Sequence, residues 1–117
     1  MKTRQQLIEM HCIHSSDCKP LSKAEIELQL SALPGWEFAD GAINHTYKFS
    51  NYYETIAFVN TLANIAHLHD HHPDLFVSYK HCTVALSTHE VQGISENDFI
   101  IAALADRSYD NRNSFHL

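Results

Sequence analysis

The chain has 117 residues, of which 44% are hydrophobic and 19% charged, a composition typical of a single soluble globular domain with one core. Its formal charge of −6 at pH 7 argues against non-specific binding to nucleic acid, because such binding needs a basic surface that displaces counterions. No apolar run approaches the roughly 18 residues that suggest a membrane span, and the first residues lack the apolar core of a signal peptide.

Residues 1–20 are predicted to form a loosely ordered N-terminal arm that precedes a single domain over residues 21–117. The arm contains four side chains of the types that ligate zinc, namely His11, Cys12, His14 and Cys18. Their spacing matches no standard zinc pattern, so we expect no zinc site there. The whole chain has three cysteines, an odd number that suits a reducing compartment, and we expect a cytoplasmic protein.

The first predicted helix begins after Ser22, because Ser22 and Glu25 have the spacing of a capping box. Apolar residues then recur at helical spacing until Pro34-Gly35 ends the helix. A second capping signal, Asn51 followed by Glu54, predicts the start of another helix.

This second helix must end by His72, because Pro73 moves the residue before it out of the helical region. Its inner stripe is expected to consist of apolar residues at helical spacing: Ile56, Val59, Ala63 and Ala66. Phe58, Leu62 and Ile65 broaden this stripe, so we expect the helix to be well buried.

A hairpin is predicted between these helices, with strands over 36–38 and 42–49 joined by a turn at Asp40-Gly41. His45 shares a face of the second strand with apolar residues, so we interpret it as a hydrogen-bonded packing residue rather than a ligand.

Alternating residues predict two more strands, over 75–79 and 82–89, before a last helix that begins after Ser95. From Asp106 onward the chain is polar and is expected to fray. The order of elements predicts an α+β fold, in which three helices pack on one face of a four-stranded, mainly antiparallel sheet.

Histidines are concentrated in residues 67–74, where four imidazoles and two aspartates precede and follow the predicted end of the second helix. Imidazole has an unperturbed pKa near 6.5, which suits it to proton transfer at cellular pH. His71 and His72 lie at the helix C-terminus, whose dipole favours the protonated form by roughly 0.3–1 kcal/mol. Mutual repulsion and burial oppose this, so we expect the two to titrate as a coupled unit near neutral pH.

Two further residues are candidates for the same site. His89 ends a predicted strand and can face the same cavity as His71, while His67 lies one helical turn before His71. Asp98 is placed to interact with the N-terminus of the last helix and can also hold a histidine.

The spacing of these residues resembles the signature of the pterin-4a-carbinolamine dehydratase family. The pattern is His67, three residues, His71-His72-Pro73, five residues, Tyr79, nine residues, His89, eight residues and Asp98. The resemblance extends from the Leu-x-x-Leu-Pro-Gly-Trp segment that ends at Trp36 to about Asp106. Two positions depart from the family pattern, since His67 stands where glutamate is frequent and Leu75 where tryptophan is common.

The resemblance implies dehydration of 4a-hydroxytetrahydrobiopterin to quinonoid dihydropterin and water, in the recycling of tetrahydrobiopterin for aromatic amino acid hydroxylation. It implies histidine acid/base catalysis, no metal or other cofactor, no nucleic-acid or membrane partner, and a homodimer or homotetramer. The catalytic histidines of the family fall on His71, His72 and His89. The substrate-binding segments fall on Asp70, His71, His72, Ser87, Thr88, His89 and Glu90, with His67 and Asp98 in supporting roles.

Two other classes of function stay open. Some animal members of this family act as dimerisation cofactors of a homeodomain transcription factor, so the chain is alternatively a protein-binding coactivator. A histidine-rich metal-binding protein is the third class, because imidazoles at positions i and i+4 of a helix, such as His67 and His71, can ligate zinc. Pro73 and the lack of a matching cysteine or carboxylate ligand weaken that interpretation.

Overall fold

A computed structural model describes residues 1–115 and confirms the predicted α+β class. Four antiparallel strands form one sheet in the order β1-β2-β4-β3. The strands are β1 (Glu37–Ala39), β2 (Ala42–Lys48), β3 (Asp74–Val77) and β4 (His81–Leu86). The helices are α1 (Arg4–Ile8), α2 (Lys23–Leu30), α3 (Tyr52–His69) and α4 (Glu96–Asp110). Within residues 1–115, no helix combines the length and the apolar character that crossing a membrane requires.

The core lies between the sheet and helices α3 and α4, both of which contact β4. In the central pair of strands Ile43 lies opposite Leu86 and Tyr47 opposite Cys82, and all four side chains are buried. Successive side chains of a strand point to opposite faces, so this register turns one face of the sheet toward the helices. His45 points its ring at the β1 side of the sheet, where ring atom Nδ1 lies 2.8 Å from the carbonyl oxygen of Gly35.

Helix α3 begins after Asn51, whose side chain accepts a hydrogen bond from the Glu54 backbone N–H (2.9 Å). Its buried face is formed by Glu54, Thr55, Phe58, Leu62 and Ala66. Phe58, Leu62 and Ala66 are buried as predicted, whereas Ile56 and Val59 are only half-buried and Ala63 is exposed, so the centre of the buried face is shifted from the predicted inner stripe. Apolar residues stand at adjacent positions along this helix, so periodicity alone fits two orientations. Contact with the sheet and α4 selects the orientation that buries the larger Phe58 and Leu62.

Helix α4 is almost fully enclosed, with nine consecutive buried residues over 97–105. As predicted, it begins after Ser95, whose backbone N–H donates to the Asp98 carboxylate. The chain was expected to fray from Asp106 onward, but α4 continues to Asp110. One carboxylate oxygen of Asp106 accepts hydrogen bonds from the Trp36 indole (3.1 Å) and from the Tyr47 hydroxyl (2.5 Å), which extend the ordered helix. The last two residues of the predicted tail, 116 and 117, lie outside the described residues.

The N-terminal arm is ordered, contrary to the expectation of a loose terminus. Helix α1 packs against α4, and Leu7 is completely buried in the core. The Arg4 guanidinium also pairs with the Asp110 carboxylate (2.5 Å). The arm does carry a local helix signal, the capping box of Thr3 and Gln6, but its packing against α4 depends on a distant part of the chain. The boundary at residue 20 between arm and domain stays a prediction.

Candidate active site

A cavity of about 180 Å³ lies where the end of α3 meets the loop that follows β4. Its walls are formed by Ser15, Asp70, His71, His72, Ser87, His89 and Glu90. The three histidines expected to share one site, His71, His72 and His89, therefore face the same space. Ser15 comes from the arm and was not among the predicted site residues.

The end of α3 determines where the first two of these imidazoles lie. Asp70 adopts the left-handed conformation (φ 49°, ψ 44°), and its backbone N–H bonds to the carbonyls of Ala66 and His67. This residue ends the helix, so His71 is buried beneath it whereas His72 is exposed. The helical i, i+4 relation expected between His67 and His71 does not form, because α3 ends at His69. His67 is exposed and does not line the cavity.

A buried hydrogen-bond network fixes the ring of His71. Its Nε2 lies 2.6 Å from Oδ1 of Asp98, whose side chain is completely buried. The other carboxylate oxygen accepts from the Thr88 hydroxyl (2.8 Å) and from the Ser95 backbone N–H (2.9 Å). The Asp98 side chain thus makes three hydrogen bonds. Because a carboxylate only accepts, Nε2 of His71 carries the hydrogen and Nδ1 is left for a ligand.

The polar network continues one residue further. The Thr88 hydroxyl uses its single hydrogen for Asp98, so the Ser95 hydroxyl, 2.6 Å away, must donate to Thr88. Thr88 is buried and is absent from the cavity wall. Its side chain therefore affects the site through its hydrogen bond to Asp98 and does not face the cavity directly.

The loop after β4 places the third imidazole. The strand ends at Leu86, and Thr88 and Gly93 exchange backbone hydrogen bonds (2.7 and 3.4 Å) that close a short loop. Within that loop a 3₁₀ helix over His89–Val91 presents His89 and Glu90 to the cavity. His89 was predicted to end a strand, but in the structure it begins a 3₁₀ helix.

Glu90 is an exposed acid on the rim of the cavity. Its own backbone N–H lowers the pKa of the carboxyl, and a hydrogen bond from the side chain of Ser15 lowers it further. The nearby His89 and His71 act in the same direction. The rim of the cavity therefore carries a negative charge beside three imidazoles at neutral pH.

A second pair of imidazoles connects the arm to the end of α3. The rings of His11 and His69 stack with centroids 4.3 Å apart, and Nδ1 of His69 accepts a hydrogen bond from the Cys12 backbone N–H (3.1 Å). Burial lowers the pKa of His69, and the neighbouring His11 and His71 lower it further. Nothing in the sequence predicted this contact, because the two segments are 57 positions apart.

Among residues 1–115, no three His, Cys, Asp or Glu side chains are arranged so that they could hold a metal ion. The metal-binding alternative therefore finds no ligand set in this part of the chain. A larger cavity of about 290 Å³ lies between the arm and α4, with His11 as its single imidazole. Three imidazoles and two carboxylates converge on the smaller cavity instead.

Comparison with known proteins points to one family. A family model described as "Pterin 4 alpha carbinolamine dehydratase" matches residues 19–108. A protein of Xanthomonas oryzae pv. oryzae named "Putative pterin-4-alpha-carbinolamine dehydratase" is 50% identical over 108 residues, which cover 89% of this chain and 91% of that protein. A protein of the same name from Nitrosomonas eutropha is 51% identical over 88 residues, covering 74% and 78% of the two chains.

A solved structure shares the fold as well. The crystal structure of a transcriptional coactivator/pterin dehydratase from Brucella melitensis is similar with a TM-score of 0.74 and 32% sequence identity. The match covers 76% of this chain and 97% of the other.

Proposed function

This chain belongs to the pterin-4a-carbinolamine dehydratase family, and we propose that it dehydrates 4a-hydroxytetrahydrobiopterin to quinonoid dihydropterin and water. The observation that carries the proposal is the convergence of His71, His72 and His89 on one cavity, with His71 held by a buried carboxylate.

The reaction requires two proton transfers at neighbouring atoms of the substrate. The C4a–O bond breaks as the hydroxyl receives a proton and leaves as water, while the N5 electron pair forms the C4a=N5 bond and N5 loses its proton. A group that exchanges protons near neutral pH suits both steps, and well-placed acid/base catalysis contributes roughly 10²–10⁴-fold. This corresponds to about 3–5 kcal/mol of the activation barrier.

We assign the principal acid/base role to His71. Its Nε2 is engaged by Asp98, so Nδ1 exchanges the proton with the substrate. The carboxylate of Asp98 keeps the ring in one orientation and stabilises the imidazolium when His71 takes up a proton. His89, on the far wall of the cavity, would assist at the departing hydroxyl, and the exposed His72 would position the pterin ring.

The remaining polar groups of the cavity wall would bind the substrate. A pterin presents amino and N–H donors and a carbonyl acceptor along one edge. The carboxylates of Asp70 and Glu90 can accept from such donors, and Ser87 can serve either polarity. We assign Thr88 to positioning of Asp98, because its hydroxyl is turned away from the cavity wall and toward that carboxylate.

The cellular side of the proposal is a cytoplasmic homodimer or homotetramer that recycles tetrahydrobiopterin. The edge strand β3 supports self-association, because Phe76 (64% exposed) and Val77 (43%) present apolar surface on a strand with one unpaired side.

A role as a transcriptional coactivator is the second candidate, and the name of the Brucella melitensis structure favours it. The two roles separate in a variant with His71 and His89 both replaced by alanine. A coactivator would keep its protein partner and biological effect in that variant, whereas a dehydratase would lose its activity.

Stopped-flow measurement of dehydration of the synthetic carbinolamine, from pH 5 to 9, tests the enzymatic proposal. We expect the wild-type protein to accelerate the reaction with a pH-dependent rate, and His71→Ala to reduce kcat by roughly 10²-fold or more. Activity of His71→Ala within about twofold of wild type would remove His71 from the mechanism. An absent or pH-independent acceleration by the wild type would shift the weight to the coactivator role.

A further inference from the structure

The N-terminal arm contributes a wall to the candidate active site. Residues 14–17 follow the arm's contact with α3, and the 3₁₀ helix Ser15–Asp17 lies against the 3₁₀ helix His89–Val91. Ser15 lines the same cavity as the three imidazoles and Glu90, and its side chain, acting as a donor, lowers the pKa of the Glu90 carboxyl. It precedes residue 19, where the match to the family begins.

The arm is fixed to both helix ends that carry the proton-transfer pair. The Asn97 amide binds the backbone of Ile13 twice, accepting from its N–H (3.1 Å) and donating to its carbonyl (2.8 Å). Asn97 immediately precedes Asp98. On the other side the Cys12 backbone N–H donates to His69, two residues before His71. These contacts hold the arm in register with the cavity, so the position of Ser15 is set by the same helix ends as that of His71.

We propose that Ser15 is a positioning residue of the pterin site, which orients the Glu90 carboxylate toward the amino and N–H donors of the pterin ring. This inference rests on the proposed function only for the identity of the ligand. A serine hydroxyl has one hydrogen, and when it donates to one carboxylate oxygen the remaining lone pairs of that group stay available. The arm would thereby favour ligands that present hydrogen-bond donors to Glu90 at the rim of the cavity. It would affect the binding of the ligand and not the proton-transfer step.

The chain offers a matched control in the next residue. Ser16 is exposed, lies in the same 3₁₀ helix and is absent from the cavity wall. Its hydroxyl lies 2.7 Å from the ring of His14, and so it bonds within the arm. Ser15→Ala and Ser16→Ala therefore remove the same group from adjacent positions, and only the first removes it from Glu90.

The first measurement concerns the contact itself and needs no substrate. The carboxyl pKa of Glu90 is followed by NMR in the full chain and in both alanine variants. We expect Ser15→Ala to raise this pKa, since it removes a donor to the ionised form, while Ser16→Ala leaves it unchanged. Ser15→Thr keeps the hydroxyl and should restore the wild-type value. Equal values in all four proteins would overturn the proposal.

The second measurement is calorimetric binding of 7,8-dihydropterin, a ring with the same donor edge that requires no dehydration. One hydrogen bond to a charged group corresponds to about a tenfold change in Kd. We expect Ser15→Ala to weaken binding by about 3–10-fold and Ser16→Ala to have no effect. In the dehydration assay Ser15→Ala should raise KM by the same factor with kcat almost unchanged.

The outcomes separate this inference from the proposed function. If the wild type binds dihydropterin but does not dehydrate the carbinolamine, the proposed function fails while the role of Ser15 stands. If the wild type is an active dehydratase and Ser15→Ala binds dihydropterin as tightly as Ser16→Ala, the role of Ser15 fails alone.

Discussion

At the residue scale, Asp98 has two structural tasks in the same carboxylate. One oxygen accepts from the backbone N–H of Ser95, the residue before α4, and from the Thr88 hydroxyl, and the other accepts from His71. The capping position of Asp98 could be predicted from its spacing to Ser95, because capping is a local property of the chain. Its hydrogen bond to His71 spans 27 positions, so the sequence indicated that Asp98 could hold a histidine but no local pattern identified which one.

Replacement of Asp98 by asparagine tests whether the charge of this residue matters for the reaction. The amide cannot balance an imidazolium, and its N–H group can force His71 to present the wrong nitrogen to the cavity. We expect Asp98→Asn to lower kcat by roughly 10²-fold. We also expect it to lower the free energy of unfolding by about 1–3 kcal/mol, because buried hydrogen bonds are disturbed.

Asp106→Asn is the matched control for this experiment. That carboxylate accepts two hydrogen bonds, from Trp36 and Tyr47, and it does not line the cavity. We expect the control to lose stability and to retain kcat. A kcat of Asp98→Asn within twofold of wild type would show that Asp98 serves only the helix terminus.

At the scale of single elements, the left-handed residue that ends α3 determines how the site forms. Asp70 is one of three non-glycine residues with positive φ among residues 1–115, the others being Asp40 and Gln92. The proline at position 73 set a limit for the helix end, and α3 ends three residues before that limit. The residue that ends a helix in the left-handed conformation is usually glycine. An aspartate at that position gives little indication in the sequence that the helix ends there.

Substitution of Asp70 can separate its backbone role from its carboxylate role. Glycine adopts positive φ freely, so Asp70→Gly should change the free energy of unfolding by less than about 1 kcal/mol. Valine is strained there, and Asp70→Val should be destabilised by about 1–2 kcal/mol. Denaturant unfolding measures the free energy of unfolding of both variants, and the values are comparable with that of the wild type if the m-values are equal. If the carboxylate binds the pterin, Asp70→Gly should raise KM several-fold despite its normal stability.

The same pair of substitutions at Asp40, in the β1–β2 turn with φ 55°, provides the control. We expect the same order of stability there and no change in KM, because the hairpin turn does not line the cavity. Equal KM values for Asp70→Gly and wild type would remove the Asp70 carboxylate from the binding site and leave its backbone role in place.

At the scale of the whole molecule, most elements with local signals were predicted, except α1, whose Thr3–Gln6 capping box was overlooked, and contacts between distant segments were not predicted. Helices α2, α3 and α4 begin where Ser22, Asn51 and Ser95 place their caps, and the β1–β2 hairpin turns at the predicted Asp40-Gly41. The packing of the arm was missed because it depends on α4, which lies about 90 residues further along the chain. Ser15 was missed for the same reason, since no spacing relates it to Glu90.

The contact between the arm and α3 makes global stability depend on pH through His69. Burial is the main cause that lowers the pKa of this imidazole from its ordinary value of 6.5, and His11 and His71 add to it. The unfolded chain therefore takes up a proton near pH 6.5, whereas the folded chain takes it up only at a lower pH. The unfolded state binds more protons in this window, so the free energy of unfolding falls as the pH decreases below about 6.5.

His69→Asn should remove this dependence, because an amide oxygen can accept from the Cys12 N–H without titrating. We expect the difference obtained by subtracting the Tm of His69→Asn from the Tm of the wild type to be smaller at pH 5.5 than at pH 7.5. The lowered pKa of Glu90 cannot produce this effect, because its ordinary value of 4.5 places its titration below that range. His81→Asn is the control for the substitution itself, because it replaces an exposed imidazole outside the arm contact. A Tm difference between wild type and His69→Asn that is the same at both pH values would mean that the arm contact does not resist protonation of His69.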